Sequence, residues 1–172
     1  VLENKITSTP QKYFTKSLFL MNRITNLLPI NHVVSALEAS SKKRVFEDAG
    51  ILFENHQGIA RSVVYDALFA REKLGSTGLG QGIAIPHGRI KGLKKPIGAF
   101  FRLVTPVPFE APDGQPVSHI FVLLVPEAAN EQHLQLLSEL AQLFSDRSFR
   151  DQLAQAPDAA TIHQLFIGWK TL

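Results

Sequence analysis

Apolar positions along the chain switch between two periods, and the switches outline the elements. Ile24, Leu27, Leu28 and Ile30 cluster around Pro29 and predict a short helical turn that tacks the start of a domain to its body. His32 to Leu37 predicts a first short strand. Val45, Phe46, Ala49, Leu52 and Phe53 recur at helical spacing behind a cap at Ser40 or Ser41, and Gly58 ends that helix. From Ser62 a second helix sets Val63, Val64, Ala67, Leu68 and Ala70 on one face, with Tyr65, Asp66 and Glu72 elsewhere. Gly75 supplies its stop.

Ile83-Ala84-Ile85 reads as a short apolar strand closed by Pro86. Ile90 to Lys95 forms a basic loop, and Ile97 to Val104 is a strong strand with Arg102 at its exposed position. Pro106, Pro108, Pro112, Asp113, Gly114 and Pro116 punctuate the connection to a second strong strand, Val117 to Val125. The run Ile120 to Val125 predicts burial on both faces of that strand. Asn130 caps a helix from Glu131 to about Phe144, whose broad apolar arc holds Leu134, Leu136, Leu137, Leu140, Ala141, Leu143 and Phe144, with His133 near its middle. Two shorter helices follow, Ser148 to Ala156 and Asp158 to about Trp169. Helices and strands interleave throughout, so the fold class is α/β, a sandwich with a mixed central sheet flanked by helices.

At 172 residues, 45% of them hydrophobic and only 19% charged, the chain can bury a full core without metal or disulfide staples. Residues 1–20 read as an N-terminal extension and 21–172 as the domain, Met21 being the only methionine and a possible natural start. There are no cysteines, which excludes thiol chemistry and cysteine-bound zinc and fits a cytoplasmic location. The formal charge of +3 owes much to Lys5, Lys12 and Lys16, against Glu3, in the extension. Without a dense basic stripe, nucleic-acid binding has little support. No apolar run approaches the ~20 residues of a membrane span.

The candidate chemistry gathers in one stretch. Gly75 to Gly82 is rich in glycine, and the following short strand delivers His87 between Pro86 and Gly88, where the imidazole is uncrowded on one side. Gly78-Leu79-Gly80-Gln81-Gly82 lacks the spacing of a dinucleotide fingerprint, no Gly-Lys-Ser/Thr follows, and the segment enters a strand instead of opening a helix. Its expected role is close backbone approach to the histidine, with N–H groups available to an anion. Arg71 and Lys73 suit the C-terminal end of the second helix. His133, in a first helical turn, lies near unpaired N–H groups that favour an anion. His32 is expected at the surface or in a structural role, His119 at an edge or the surface, and His163 has no assigned role.

Arg71-Glu72-Lys73-Leu74-Gly75-Ser76-Thr77-Gly78, followed by Gly82-Ile83-Ala84-Ile85-Pro86-His87-Gly88-Arg89, resembles the signature of the phosphotransferase-system enzyme IIA domains of the fructose/mannitol/nitrogen-regulatory superfamily. The resemblance runs from about Ile24 to Trp169 and is strongest to the nitrogen-regulatory branch. It implies the same α/β architecture, phosphorylation of His87 on Nε2, a second active-site histidine at His133 within His133-Leu134 and Leu137-Ser138, and Arg71 as the arginine beside the active imidazole. Gly88 and Ser138 are expected in support of the phosphoryl group, and Gly88, Leu79 and Ile90 at the rim of a docking surface.

By the same resemblance the donor is a phosphorylated HPr-like carrier charged from phosphoenolpyruvate through enzyme I. The targets are regulated proteins, among which potassium-transport or sensor proteins are candidates. No IIB or IIC segment accompanies the domain in this sequence, which favours the regulatory branch over a sugar-specific fructose or mannitol IIA. A neutral imidazole attacks a phosphoryl group without a separate base, and the loose transition state asks the protein mainly for alignment and charge, so neither cofactor nor metal is expected. A non-catalytic interaction module is disfavoured because Arg71, His87 and His133 are all present. A metallohydrolase lacks recognisable ligand spacing.

Overall fold

The computed structural model describes residues 23–128 and 130–169; the expected extension at 1–20 and the candidate start at Met21 lie outside them. Residues 23–27 are helical, and a 3-10 turn over Ile30–His32 leads into β1 (Val33–Leu37). Helix α1 (Lys42–Gln57) is capped by Ser41, whose hydroxyl accepts from the Arg44 N–H, and ends at Gly58 in the left-handed region. Helix α2 (Arg61–Glu72) precedes three short strands, β2 (Gly78–Gly80), β3 (Ile83–Ala84) and β4 (His87–Ile90). The long pair β5 (Ile97–Val107) and β6 (Val117–Pro126) comes next, then α3 (Glu131–Ser145), α4 (Arg147–Gln155) and α5 (Ala159–Gly168).

The sheet is mixed, as the interleaved pattern predicts. Its order is β1-β5-β6-β3-β2, and β4 also lies on β6. β5 and β6 are antiparallel; β1 runs parallel to β5, and both β3 and β4 run parallel to β6. β3 and β4 therefore form one interrupted line along the same edge of β6, broken at Ile85-Pro86. Across the break the Leu123 N–H donates to the Pro86 carbonyl at 2.9 Å, so the line continues without the donor that proline lacks.

Strand alternation sends side chains into two cores. Phe121, Leu123 and Val125 join Phe100, Ile83 and Ile85 under α3, α4 and α5. Ile120, Val122 and Leu124 join Phe101, Ala84 and Ile90 under α1 and α2. The β6 residues from Ile120 to Val125 are all buried, as their unbroken apolar run anticipates.

Four sequence expectations change. The glycine stretch is not a loop passing the histidine: β2 and β3 form a hairpin, with Gly80, Gln81 and Gly82 all at positive φ and the Gln81 N–H held by Asp113 Oδ2 at 2.9 Å. Arg102 is half-buried instead of exposed, because its guanidinium collects three backbone carbonyls, of Ser35 (2.8 Å), Leu153 (2.9 Å) and Ala156 (2.6 Å). Glu72 is buried, where the helical pattern turned it elsewhere. His119 is buried and stacked on Phe100 at 6.1 Å between ring centroids, instead of lying at the surface, while His32 is fully buried in a structural role, bonded to the Gly98 carbonyl at 2.8 Å.

His119 carries a consequence for stability. Its Nδ1 lies 3.0 Å from the Ser118 hydroxyl, but its buried Nε2 has no partner among the described residues. Burial first, and the Arg102 charge second, push the imidazole down to about 4. A histidine whose folded value lies below its unfolded one destabilises as pH falls, since the unfolded chain takes up the proton first. Between pH 7 and pH 5 this site alone is expected to remove about 2 kcal/mol of stability. His32 and His87, both lowered mainly by burial, act in the same direction. Urea denaturation at the two pH values checks this, and His119→Phe should flatten the dependence; equal pH dependence in the two proteins would remove His119 from the account.

Candidate functional site

His87 opens β4 on the sheet's edge, opposite Leu123. Behind it Gly88 allows α2 to approach: a Cβ there would meet the backbone and Cβ of Ala67 at 3.0 Å, so a side chain would push the helix away. With glycine, the C-terminal turn of α2 brings Arg71 beside the imidazole. From the opposite face of the sheet comes the first turn of α3. The three elements enclose a cleft of about 470 Å³ lined by Arg71, His87 and His133 among apolar side chains of Leu74, Leu123 and Leu134.

The hydrogen bonds fix the state of each ring. His87 Nδ1 lies 2.9 Å from the Ile85 carbonyl, which can only accept, so Nδ1 carries the proton. Nε2 then holds the lone pair, and the Arg71 Nε–H donates to it at 3.2 Å. Burial is the largest influence on the imidazole and lowers its proton affinity. The Ile85 bond raises it, the Arg71 charge lowers it and the Glu72 charge raises it, for a net shift below the ordinary histidine value. The ring is therefore neutral near pH 7, with its nucleophilic nitrogen turned to a cation. Arg71 is held in place by a second bond, Nη1 to the Gly75 carbonyl at 2.8 Å.

His133 occupies the third position of α3 and closes a capping box with Asn130: the Asn130 N–H donates to His133 Nδ1 at 3.0 Å. Nδ1 being the acceptor, the proton of the neutral ring sits on Nε2, which makes that nitrogen a donor for an anion. His133→Ala is expected to cost about 1 kcal/mol through the lost cap, and His133→Gln, a usual residue at this position of the box, much less. Thermal denaturation of the two variants checks the order; equal losses would show that the cap bond carries no stability.

The structure thus brings together Arg71, His87, Gly88 and His133. It does not bring Ser138, which is exposed on α3 and outside the cleft lining, nor the glycine hairpin, nor Leu79 and Ile90. The rim is instead made by Leu74 and Leu134, 84% and 64% exposed. Leu74 follows the helix end, where an apolar residue in a polar turn was the available signal. Leu134 was hidden by its place on the apolar arc of α3. Among the described residues no group of three or more His, Cys, Asp and Glu could hold a metal ion, and no helix is long and apolar enough to cross a membrane.

Comparison with known proteins places this cleft in a family. The profile described as "Phosphoenolpyruvate-dependent sugar phosphotransferase system, EIIA 2" matches residues 26–168. A nitrogen regulatory protein of Pseudomonas aeruginosa is 43% identical over 148 residues, covering 86% of this chain and 96% of its own. A fructose-specific EIIA component of the phosphotransferase system from Haloferax volcanii is 37% identical over 105 residues, 61% of this chain and 68% of its own. Among solved structures, nitrogen regulatory protein IIA-Ntr from Neisseria meningitidis superimposes with a TM-score of 0.79 at 52% identity, over 83% of this chain and 98% of that one. IIA mannitol from Escherichia coli shares the fold at a TM-score of 0.68 and 23% identity, over 80% of this chain and 97% of that one. A match spanning both sheet cores and all three walls of the cleft makes the chain a member of the type 2 enzyme IIA family of the phosphoenolpyruvate-dependent phosphotransferase system.

Proposed function

We propose that the chain is a regulatory phosphocarrier: it accepts a phosphoryl group on Nε2 of His87 from a phosphorylated HPr-like protein, and its phosphorylation state governs binding to target proteins. The observation that carries this reading is the His87 lone pair, fixed on Nε2 by the Ile85 carbonyl and turned toward Arg71 inside an apolar-rimmed cleft.

In the transfer step the Nε2 lone pair attacks phosphorus, and the P–N bond of the carrier breaks with its electron pair returning to the carrier's ring. No proton has to leave His87, since Nδ1–H stays on the Ile85 carbonyl. Arg71 exchanges its bond to Nε2 for one to a phosphoryl oxygen, and His133 Nε2–H offers a second donor. Catalysis of this kind is alignment and charge stabilisation, which preformed donors provide. Exposed Leu74 and Leu134 offer the carrier an apolar landing around the reacting nitrogen, suited to a small transient interface.

The test is incubation with phosphoenolpyruvate, enzyme I and an HPr-like carrier, followed by intact-mass measurement. An acid-labile addition of ~80 Da is expected, as for one phosphohistidine; no addition, with an active carrier present, would overturn the proposal. The regulatory reading is supported by the nitrogen regulatory relatives that match along nearly their whole length. The fructose-specific relative favours a second reading, in which the phosphoryl group passes on to a sugar IIB domain. Transfer from the phosphorylated protein to such a domain separates the two.

A further inference from the structure

Both nitrogens of His87 trace back to two consecutive residues at the end of α2. Arg71 reaches Nε2 directly. Its neighbour Glu72 reaches Nδ1 through a chain of hydrogen bonds: the carboxylate accepts from the Thr77 N–H at 3.2 Å and the Thr77 hydroxyl at 2.6 Å, the Thr77 carbonyl accepts from the Ile85 N–H at 3.0 Å, and the Ile85 carbonyl accepts from His87 Nδ1–H. Glu72 and Thr77 are both buried. On its far side the carboxylate accepts from Lys42 Nζ at 2.9 Å, which ties the start of α1 to the same point.

Resting on the phosphocarrier reading, we infer that Glu72 is a positioning residue for His87: through Thr77 and Ile85 it holds the proton on Nδ1, and its charge stabilises the ring when a phosphoryl group on Nε2 makes it cationic. Phosphorylation of a neutral imidazole with Nδ1–H retained leaves a positively charged ring next to the phosphoryl group, a ready leaving group for onward transfer. Arg71 favours the incoming phosphoryl oxygens but opposes that ring charge. Glu72, one residue on, offsets the opposition from the Nδ1 side, and the two charges divide the work between the two ends of the imidazole. Of the other ionisable groups around the ring, His133 faces the same cleft from α3. Arg89, exposed on β4, lines the same cleft, and Lys42 lies behind Glu72.

Glu72→Gln keeps the size and one acceptor while removing the charge. The histidine ring nitrogens, followed by ¹⁵N NMR against pH, are expected to show His87 of the variant titrating at lower pH than in the native protein, with a smaller share of the Nδ1–H tautomer. The phosphorylated variant should pass its group back to the carrier several-fold more slowly. Because Glu72→Gln leaves Lys42 without its buried partner, Glu72→Gln with Lys42→Met serves as the companion that removes both charges together and guards against a folding defect. Both variants folding with unchanged His87 titration, tautomer and transfer would overturn the inference. Thr77→Val, which keeps the charge and cuts the hydroxyl link, should change the tautomer share more than the titration point. NMR of the unphosphorylated protein reads the positioning without any transfer, so failure of the native protein to accept phosphate sinks the phosphocarrier reading alone.

Discussion

No acid-labile addition is expected in His87→Ala under conditions that load the native protein, because no other histidine combines a lone pair open to the cleft with a neighbouring cation. The chain has six histidines. His32 has both nitrogens engaged, by the Gly98 carbonyl and Gln57, and is fully buried. His119 is buried and stacked on Phe100, which keeps its unpartnered Nε2 out of reach of a carrier. His56 Nδ1 meets the Asn31 amide and His163 Nε2 the Leu28 carbonyl, both away from the cleft. His133 shares the cleft, but its acceptor nitrogen is spent on the α3 cap and the other holds a proton. The substitution should leave the fold intact, since it removes a half-buried side chain at the sheet edge and two hydrogen bonds, to Ile85 and from Arg71, about 1 kcal/mol each. Circular dichroism together with intact mass reads both halves. A folded His87→Ala protein that still gains ~80 Da would move the acceptor to another residue, with His133 the first to examine by peptide mapping.

How much of this was legible in the sequence depended on whether a residue's environment is local. The strands of the sheet centre were legible because Ile120 to Val125 is an unbroken apolar run, and α3 because Asn130 and its apolar arc announce both cap and face. His87 and Arg71 were legible as a motif, sixteen positions apart. That Gly88 lets α2 close onto β4 was not, because the clash it avoids is with Ala67, a residue of another element. Arg102 and His119 misled for the same reason. In a strand, a polar residue between apolar ones reads as solvent-facing, yet Arg102 faces three carbonyls brought from β1 and from the end of α4, and His119 faces Phe100. Glu72 was hidden by the helical pattern, which has no means of showing that Lys42, from another helix, and Thr77, just past the helix end, receive it. Ser138 was carried by its place in a motif, and the helix points it outward.

Arg71→Ala should slow phosphoryl acceptance by about 10²–10³-fold, the usual cost of removing one preorganised donor from a site of developing charge. In the resting protein the guanidinium is aimed by two bonds, to Gly75 and to His87 Nε2, so the fork is in place before the phosphoryl group arrives. Arg71→Lys retains the charge but cannot make both bonds from one planar group, and should recover only part of the rate. The pH dependence separates charge from geometry. Arg71 is one of the influences that lower the His87 proton affinity, so its removal raises that affinity, and more of the ring becomes protonated as pH falls. The acid limb of the single-turnover rate should therefore move to higher pH in Arg71→Ala and stay near its native position in Arg71→Lys. If Arg71→Ala matched the native rate across the whole pH range, the guanidinium would be a helix-end cap and no part of the transfer machinery, and Arg89, the other arginine lining the cleft, would be the next source of charge to test.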